Sequence, residues 1–325
     1  MRRCWAFLLL PLAGCGGVQS ALSPTGAEAR EIGLLFWTSA GLAIFVTLLV
    51  AVLLLLSLYG PAPVRQRLAS QRVIVAGGII FPTVALSLLL FYGLVVMQGG
   101  ISRSAGAEGP TITIIGKQWW WHVIYELPDG SRITSANELR LPVGRRVALL
   151  LETDDVIHSF WAPQLGGKLD MIPGRSNVLT IQADRAGISR AQCAEYCGGA
   201  HALMSMHVVA MEAADYDAWL AAEAAPAAPT RGSQAQEGRR LFFENGCDAC
   251  HTVRGTDAVG LAGPDLTHVG SRHSLAAATL PNDRAALASW LIDNQHIKPG
   301  NFMPEYKMLD PPSLAALATY LDGLE

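Results

Sequence analysis

The sequence predicts a multi-domain membrane protein: a two-helix transmembrane hairpin, then an all-β domain, then a small all-α domain. Three observations carry this. Hydrophobic residues make up 51% of the 325 and charged residues only 16%, and the apolar excess lies in the first hundred positions, as in a membrane-attached chain. Short runs rich in β-branched residues recur between 110 and 212. After an Ala/Pro-rich stretch, the residues beyond 236 read as helices.

The first segment, MRRCWAFLLLPLAGCGG, places arginines before an apolar run and small residues after it, the layout of an export signal over 1–15. Leu12-Ala13-Gly14-Cys15 resembles a bacterial lipobox, which implies a mature chain beginning at a lipid-modified Cys15. The hairpin is expected over 30–100. Two uncharged runs, 33–58 and 73–97, are long enough to cross a bilayer at 1.5 Å per residue. Their link carries Arg65, Arg67 and Arg72 and no acid, so the positive-inside rule puts it in the cytoplasm and everything after the second span on the outer face.

Between 105 and 222, TITII, HVIYEL, RVALLLE, NVLTIQ and MHVVAME are separated by turns such as LPDGS and MIPGRSN. Short strands at this spacing predict a β-sandwich or barrel rather than a parallel sheet with crossover helices. Residues 223–236 are rich in Ala, Pro, Gly, Ser and Gln, the composition of a linker. The last domain, 237–325, offers EGRRLFFENG and DRAALASWLIDN as helices and PPSLAALATYLDGL as a third, with prolines fitted to its first turn. A formal net charge of −3 supplies no basic stripe for phosphates, which argues against nucleic acid.

Beyond Cys4 and Cys15, the cysteines form two close pairs, Cys193 with Cys197 and Cys247 with Cys250. In an exported chain the plain reading of each is a local disulfide. Their neighbours point elsewhere. Cys247-Asp-Ala-Cys250-His251 is C-x-x-C-H, the haem c attachment pattern: two thiols for thioethers and an imidazole for one face of the iron. A zinc half-site or a thioredoxin-like pair also fits the pentapeptide. With the helix before it, GPDLTHVGSR after it and the Met-Pro pair of PGNFMPEY, the segment resembles a class I cytochrome c. That resemblance implies Cys247, Cys250, His251 and Met303 as the haem-binding residues, with Pro264 near the imidazole. Met308 lacks the flanking proline. His268, His273 and His296 read as ordinary polar residues.

In AQCAEYCGGAHALMSMH, two thiols, an imidazole and a thioether make a soft donor set of the kind that selects copper, and His158 is the upstream imidazole that a sandwich would bring to it. The segment resembles the loop C-x-E-x-C-x-x-x-H-x-x-M of cytochrome c oxidase subunit II, with every liganding position filled. The resemblance runs over about 30–215, taking in GKQWWWHVIYE and KLDMIPGR, and together with the haem segment it is to the caa-type, which carries a fused C-terminal cytochrome c domain. It implies a cupredoxin-like domain holding dinuclear copper A: Cys193 and Cys197 bridging two coppers, His158 and His201 binding one each, Met204 weakly, and Glu195 through its carbonyl. The Glu195 carboxylate, supported by Asp170, would reach a magnesium at the interface with the catalytic subunit. Trp119 matches the family's donor-contact tryptophan, so Trp119, Trp120 and Trp121 are candidates for electron uptake. As strand residues they also fit simple alternation between core and surface. Trp120 stands where the family usually has Tyr, and the second membrane run lacks an acid that many relatives carry.

The function so implied is a relay in the cell membrane. A cytochrome c or an upstream respiratory complex reduces haem c, which reduces copper A, which passes the electron to oxidase subunit I, accompanied by subunit III, for oxygen reduction and proton translocation. No intramembrane histidines are present to hold that haem here. The alternative class is a membrane-anchored copper-delivery or thiol-redox protein with a cytochrome c domain, which would call for a thioredoxin-like α/β scaffold.

Overall fold

The computed structural model describes residues 16–104, 110–127 and 129–325; the export signal, Cys4 and Cys15 lie outside them. The chain divides into two units, Glu28–Gly106 and the remainder.

The helical unit follows from unbroken apolarity. Helix α1 (Ala27–Tyr59) and the run Gln71–Gln98 are each long and apolar enough to cross a membrane, and no part of either apolar window is buried in protein. Their large side chains, Phe36, Trp37, Ile44, Leu48 and Leu54 in α1 and Ile79, Leu86, Leu90 and Phe91 in the second run, stand exposed, as lipid-facing helices require. The hydroxyls of Thr38, Thr47 and Thr83 each donate to the carbonyl four residues back, at 2.8, 2.7 and 2.7 Å, which pairs their hydrogens within the helix. The arginine-bearing link forms a short helix, α2 (Ala62–Leu68). The second run is composite: α3 (Gln71–Val75), a π-helical turn over Ala76–Ile80 that contains Gly77 and Gly78, and α4 (Phe81–Ser104).

The other unit holds a β-sandwich and a helical domain. The sandwich comprises β1 (Thr111–Lys117), β2 (Trp120–Glu126), β3 (Arg132–Ala136), β4 (Glu138–Pro142), β5 (Arg146–Thr153), β6 (His158–Trp161), β7 (Leu169–Met171), β8 (Asn177–Gln182), β9 (Gly187–Cys193) and β10 (Ser205–Met211). One sheet runs β3-β2-β1-β5-β8 and the other β4-β10-β9-β6-β7. Alternate residues of β1 and β2 are buried, which is the period-two pattern that fixes register in a half-buried sheet. The pairs β1 with β5 and β4 with β10 are parallel; the others are antiparallel. Between the sheets lie Ile112, Ile114, Trp121, Leu139, Leu149, Leu151 and Phe160, with Trp121 meeting Phe160 edge-on at 6.0 Å. Residues 16–26 lie along the sandwich, where Thr25 N–H donates to the Gln164 carbonyl at 2.7 Å. Helix α5 (Ala213–Ala224) sets Trp219 edge-on to Tyr125 at 5.1 Å.

The helical domain packs α6 (Ser233–Glu244) and α7 (Arg284–Ile297) against α8 (Pro311–Asp322), with a two-stranded hairpin of β11 (Ser274–Leu275) and β12 (Leu280–Pro281). Asp283 and Asp310 cap α7 and α8, accepting from Ala286 N–H at 2.8 Å and Ser313 N–H at 3.0 Å, and Pro311 occupies the first turn of α8. Helices α6 and α8 approach so closely at Gly238 that a Cβ there would run into the Ala316 carbonyl. The irregular connection between domains, 225–232, is shorter than composition implies. The Ala-rich and Ser/Gln-rich ends of the expected linker, 223–236, have adequate helix propensity and extend α5 and α6.

Candidate metal and haem centres

The first site forms where β6 and β9 pair. Phe160 opposite Cys193 brings His158, 35 residues upstream, beside the end of β9. The Cys193 Sγ lies 3.7 Å from His158 Nδ1, 3.7 Å from Cys197 Sγ and 3.2 Å from the Glu195 carbonyl. Cys197 Sγ lies 3.4 Å from His201 Nδ1 and 3.9 Å from Met204 Sδ. Two sulfurs 3.7 Å apart are free thiols, far from the 2.05 Å of a disulfide. His158, Cys193 and Cys197 are all buried, with ligand atoms within 4.8 Å of one another, and Met204 is 1% exposed.

Electrostatics favour a thiolate here. The hydrogen bond from Cys197 holds the Cys193 thiol far below its ordinary range, helped by His158 and backbone N–H groups, and for the same reason the Cys197 proton is held more tightly than usual. Burial works against a protonated His158, but its bonds to Cys193 and Asp155 outweigh this and raise its pKa.

Several supporting residues carried no signal in sequence. The Asp155 carboxylate bonds His158 Nε2 at 2.8 Å, fixing the ring so that Nδ1 faces the sulfurs; its i, i+3 spacing to His158 was the one available hint. Gly116 of β1 lies flat against that imidazole, where a Cβ would sit 2.8 Å from Cδ2. Gln118 Nε2 and Trp119 Nε1 both donate to the Cys197 carbonyl, at 2.8 and 3.0 Å. Lys298, from the helical domain, is buried, and burial pushes its ammonium down to about 7 against the opposing pull of Cys197.

The three tryptophans separate. Trp119 is 9% exposed and lies on the 197–199 loop. Trp120 is half-buried on the outer face, under the Lys117 ammonium at 5.5 Å. Trp121 is fully buried, its ring 6.3 Å from that of His158. Glu195 is exposed and Asp170 half-buried on β7, and among the described residues neither joins a cluster of three ligating side chains.

The second site lies on the turn after α6. Cys247 is buried and Cys250 exposed, on and just after a 3₁₀ turn, Cys247–Ala249. His251 Nδ1 bonds the Pro264 carbonyl at 2.7 Å, and burial lowers the pKa of the ring more than that bond raises it. A neutral imidazole donating through Nδ1 leaves the Nε2 lone pair available for iron. Gly260 and Gly263 let the following loop close over the motif, since a Cβ on either would come within 2.5 Å of the Ala249–Cys250 backbone or of the His251 ring. Across the domain, Met303 is half-buried with Sδ accepting from Trp290 Nε1 at 3.1 Å, while Met308 is 76% exposed. Tyr306 places its hydroxyl 3.9 Å from Cys247 Sγ, which brings the 302–308 loop to the motif. His268 is buried with Nε2 on the Ala225 carbonyl at 3.1 Å, His273 pairs with Glu138, and His296 is exposed.

Comparison with known proteins identifies both domains by family. Residues 130–211 match the family of the cytochrome c oxidase subunit II periplasmic domain, and residues 235–325 match the cytochrome c family. The chain is 33% identical to cytochrome c oxidase subunit 2 of Alkalihalophilus pseudofirmus, over 98% of this chain and 95% of that one. It is 34% identical to the Bacillus subtilis protein of the same name, over 66% of this chain and 62% of that one. A crystal structure of the periplasmic domain of subunit II of cytochrome oxidase from Bradyrhizobium japonicum aligns at 31% identity, over 36% of this chain and 94% of that one, with a TM-score of 0.34. The two domains bring copper and haem c binding, and the two apolar helices place the chain in a membrane alongside other oxidase subunits. By its relatedness along nearly its whole length, the chain belongs to the cytochrome c oxidase subunit 2 family, as an electron-transfer subunit of a haem-copper oxidase that carries its own cytochrome c domain.

Proposed function

We propose that this chain takes electrons from an external donor, a cytochrome c or an upstream respiratory complex, onto haem c and passes them through dinuclear copper A to subunit I for oxygen reduction. The observation that carries the copper assignment is the set of two free thiols, two imidazoles and a thioether spaced 3.4–3.9 Å apart, all buried except the half-buried His201, which suits soft metal ions held in a fixed geometry. Cys193 and Cys197 would bridge the pair, with His158, His201, Met204 and the Glu195 carbonyl completing it. Bound there, copper supplies a one-electron store whose ligands need move little. Asp155, Gly116, Gln118 and Trp119 hold that geometry.

The haem would be attached at Cys247 and Cys250 and ligated by His251 and Met303. The neutral His251 and the inward Met303 support this, as do the exposed apolar Leu261 and Phe302 on the loops either side of the motif. The copper module is taken as 105–222 and the haem module as 237–325, with the ends of the intervening 223–236 drawn into α5 and α6. Trp119 is the favoured point of electron passage, while Trp121 serves the core and Trp120 the surface. A magnesium ion at Glu195 and Asp170 would need further ligands from the partner, and Glu195 is exposed. The arginines of the α1–α4 link orient both metal modules outward, and Cys15 would add a lipid anchor.

Metal analysis with optical and paramagnetic spectra of the purified chain tests the assignment. Two coppers per chain with a mixed-valence signal, beside a low-spin His/Met haem, are expected. One copper, or a cystine at 193–197, would overturn it.

A further inference from the structure

We propose that Trp119 in this chain is an internal junction, reached by electrons from the chain's own haem-bearing domain and closed to external donor proteins, with Gly300 as the residue that positions that domain on the indole. The inference rests on the relay proposed above and goes beyond it by naming Gly300 as the residue that seats the helical domain on Trp119 and shuts the indole off.

The indole is held along two neighbouring edges. Its Nε1 donates to the Cys197 carbonyl at 3.0 Å, and on that side a Cβ at Gly198 would lie 3.0 Å from Cζ2. On the adjoining edge stands Gly300 of the helical domain, where a Cβ would lie 3.3 Å from Cη2 and 3.4 Å from Cζ3. Gly300 also has φ +81°, a conformation that disfavours any side chain. With both edges covered, Trp119 keeps 9% of its surface, so a large aromatic at a position where relatives are expected to meet their donor has no face left for one.

The loop that covers it is the one that carries Met303. Gly300 N–H donates to Gln295 Oε1 at 3.1 Å, Gln295 Nε2 donates to the carbonyls of Asn301 at 2.7 Å and Met303 at 3.3 Å, and Met303 N–H donates to Asn301 Oδ1 at 2.9 Å. Gly300 and Met303 therefore move as one piece. A second grip falls on either side of Met204: Ser205 N–H donates to the Ala277 carbonyl at 3.2 Å and Thr279 Oγ1 to the Leu203 carbonyl at 3.3 Å. Buried Lys298 ties the two grips together by donating from Nζ to the Ala276 carbonyl at 3.1 Å. Trp119 thus stands between a donor that goes from ferrous to ferric and an acceptor that gains the same single electron, with no bond made or broken. An external donor must then dock on the haem domain.

The test uses the full chain in detergent, wild type and Gly300→Val, with two readouts: oxidative footprinting of Trp119, and the rate of haem-to-copper transfer after photoreduction of the haem. In the wild type Trp119 should be protected. In Gly300→Val its modification should rise and the transfer rate fall, each by roughly ten- to hundredfold, the factor that overpacking one contact implies, with both metal spectra unchanged. Should Gly300→Val not fold, Gly300→Ala carries the same measurement with a single methyl group. Fast modification of Trp119 in the wild type, or an unchanged transfer rate in a folded variant, overturns the inference. So does an altered copper or haem spectrum in the variant, which would make Gly300 merely structural. Absence of either spectrum in the wild type would instead sink the relay itself.

Discussion

Glu138 is a buried carboxylate that joins the two soluble domains. It sits at the start of β4, 4% exposed, and its Oε2 accepts from both the backbone N–H and Nδ1 of His273 in the helical domain, at 2.8 and 2.9 Å. Its Oε1 pairs with Arg140 at 2.6 Å, and Arg140 in turn reaches the Ser271 carbonyl at 3.4 Å. Burial opposes a charged Glu138, but the bonds from His273 and the Arg140 charge outweigh it and hold the carboxyl down from 4.5 to about 2. At 1.36 kcal/mol per pKa unit this is worth roughly 3 kcal/mol, of the order found when one partner of a buried pair is removed. Glu138→Gln should therefore cost about 3 kcal/mol, lowering Tm by roughly 6–12 °C in a unit of this size.

The sign with pH follows from both partners. Glu138, depressed, contributes fully above its ordinary 4.5 and loses its share as pH falls towards 2. His273, raised by Glu138, contributes fully below its ordinary 6.5 and loses its share as pH rises through its higher folded value. The groups facing this pair include Arg140, which disfavours a charged His273, Arg272, whose charge Glu138 favours, and His207, whose ring lies 6.1 Å away and whose pKa burial lowers. The wild-type advantage over Glu138→Gln should thus be largest between about pH 4.5 and 6.5 and shrink above it, leaving the share due to Arg140. Scanning calorimetry of the full chain across that range measures it. A difference under about 1 kcal/mol throughout, or one that grows with rising pH, would refute the reasoning.

Further outcomes follow from the same geometry. Gly116→Ala should displace His158 and cost about 1–3 kcal/mol of stability with loss of copper, read by metal content and melting. Asp155→Asn keeps the size of the side chain but weakens the brace on His158 Nε2, so copper affinity should fall by roughly 10- to 100-fold in chelator competition while the haem spectrum stays put. Met303→Ala should lower the haem potential in a redox titration and leave the copper spectrum unchanged, whereas Met308→Ala, at an exposed position, should leave both the potential and the spectrum unchanged.

Much of this molecule is legible in its sequence because the informative residues are neighbours along the chain. C-x-x-C-H needs one turn to present its three ligands, and Cys193 to Met204 spans a single loop leaving β9. The membrane runs and the period-two strands are likewise local patterns, so fold class followed from them. His158 was harder, since only the pairing of Phe160 with Cys193 makes an imidazole 35 residues upstream a neighbour.

What the tertiary structure alone decided is everything that acts across domains. Local periodicity records which face a residue turns, not what lies opposite it. Three adjacent tryptophans look alike in sequence, yet one enters the core, one meets solvent, and one is closed between Cys197 and Gly300. His273, an ordinary polar residue by pattern, becomes charged-pair partner to Glu138, 135 positions away. Lys298, of the helical domain, is buried within electrostatic reach of Cys197 in the other domain. Sequence set which groups this chain can offer to metals; burial and long-range contact set which of them are held still, kept dry and joined, because desolvation and close packing depend on atoms that the chain brings together only by folding.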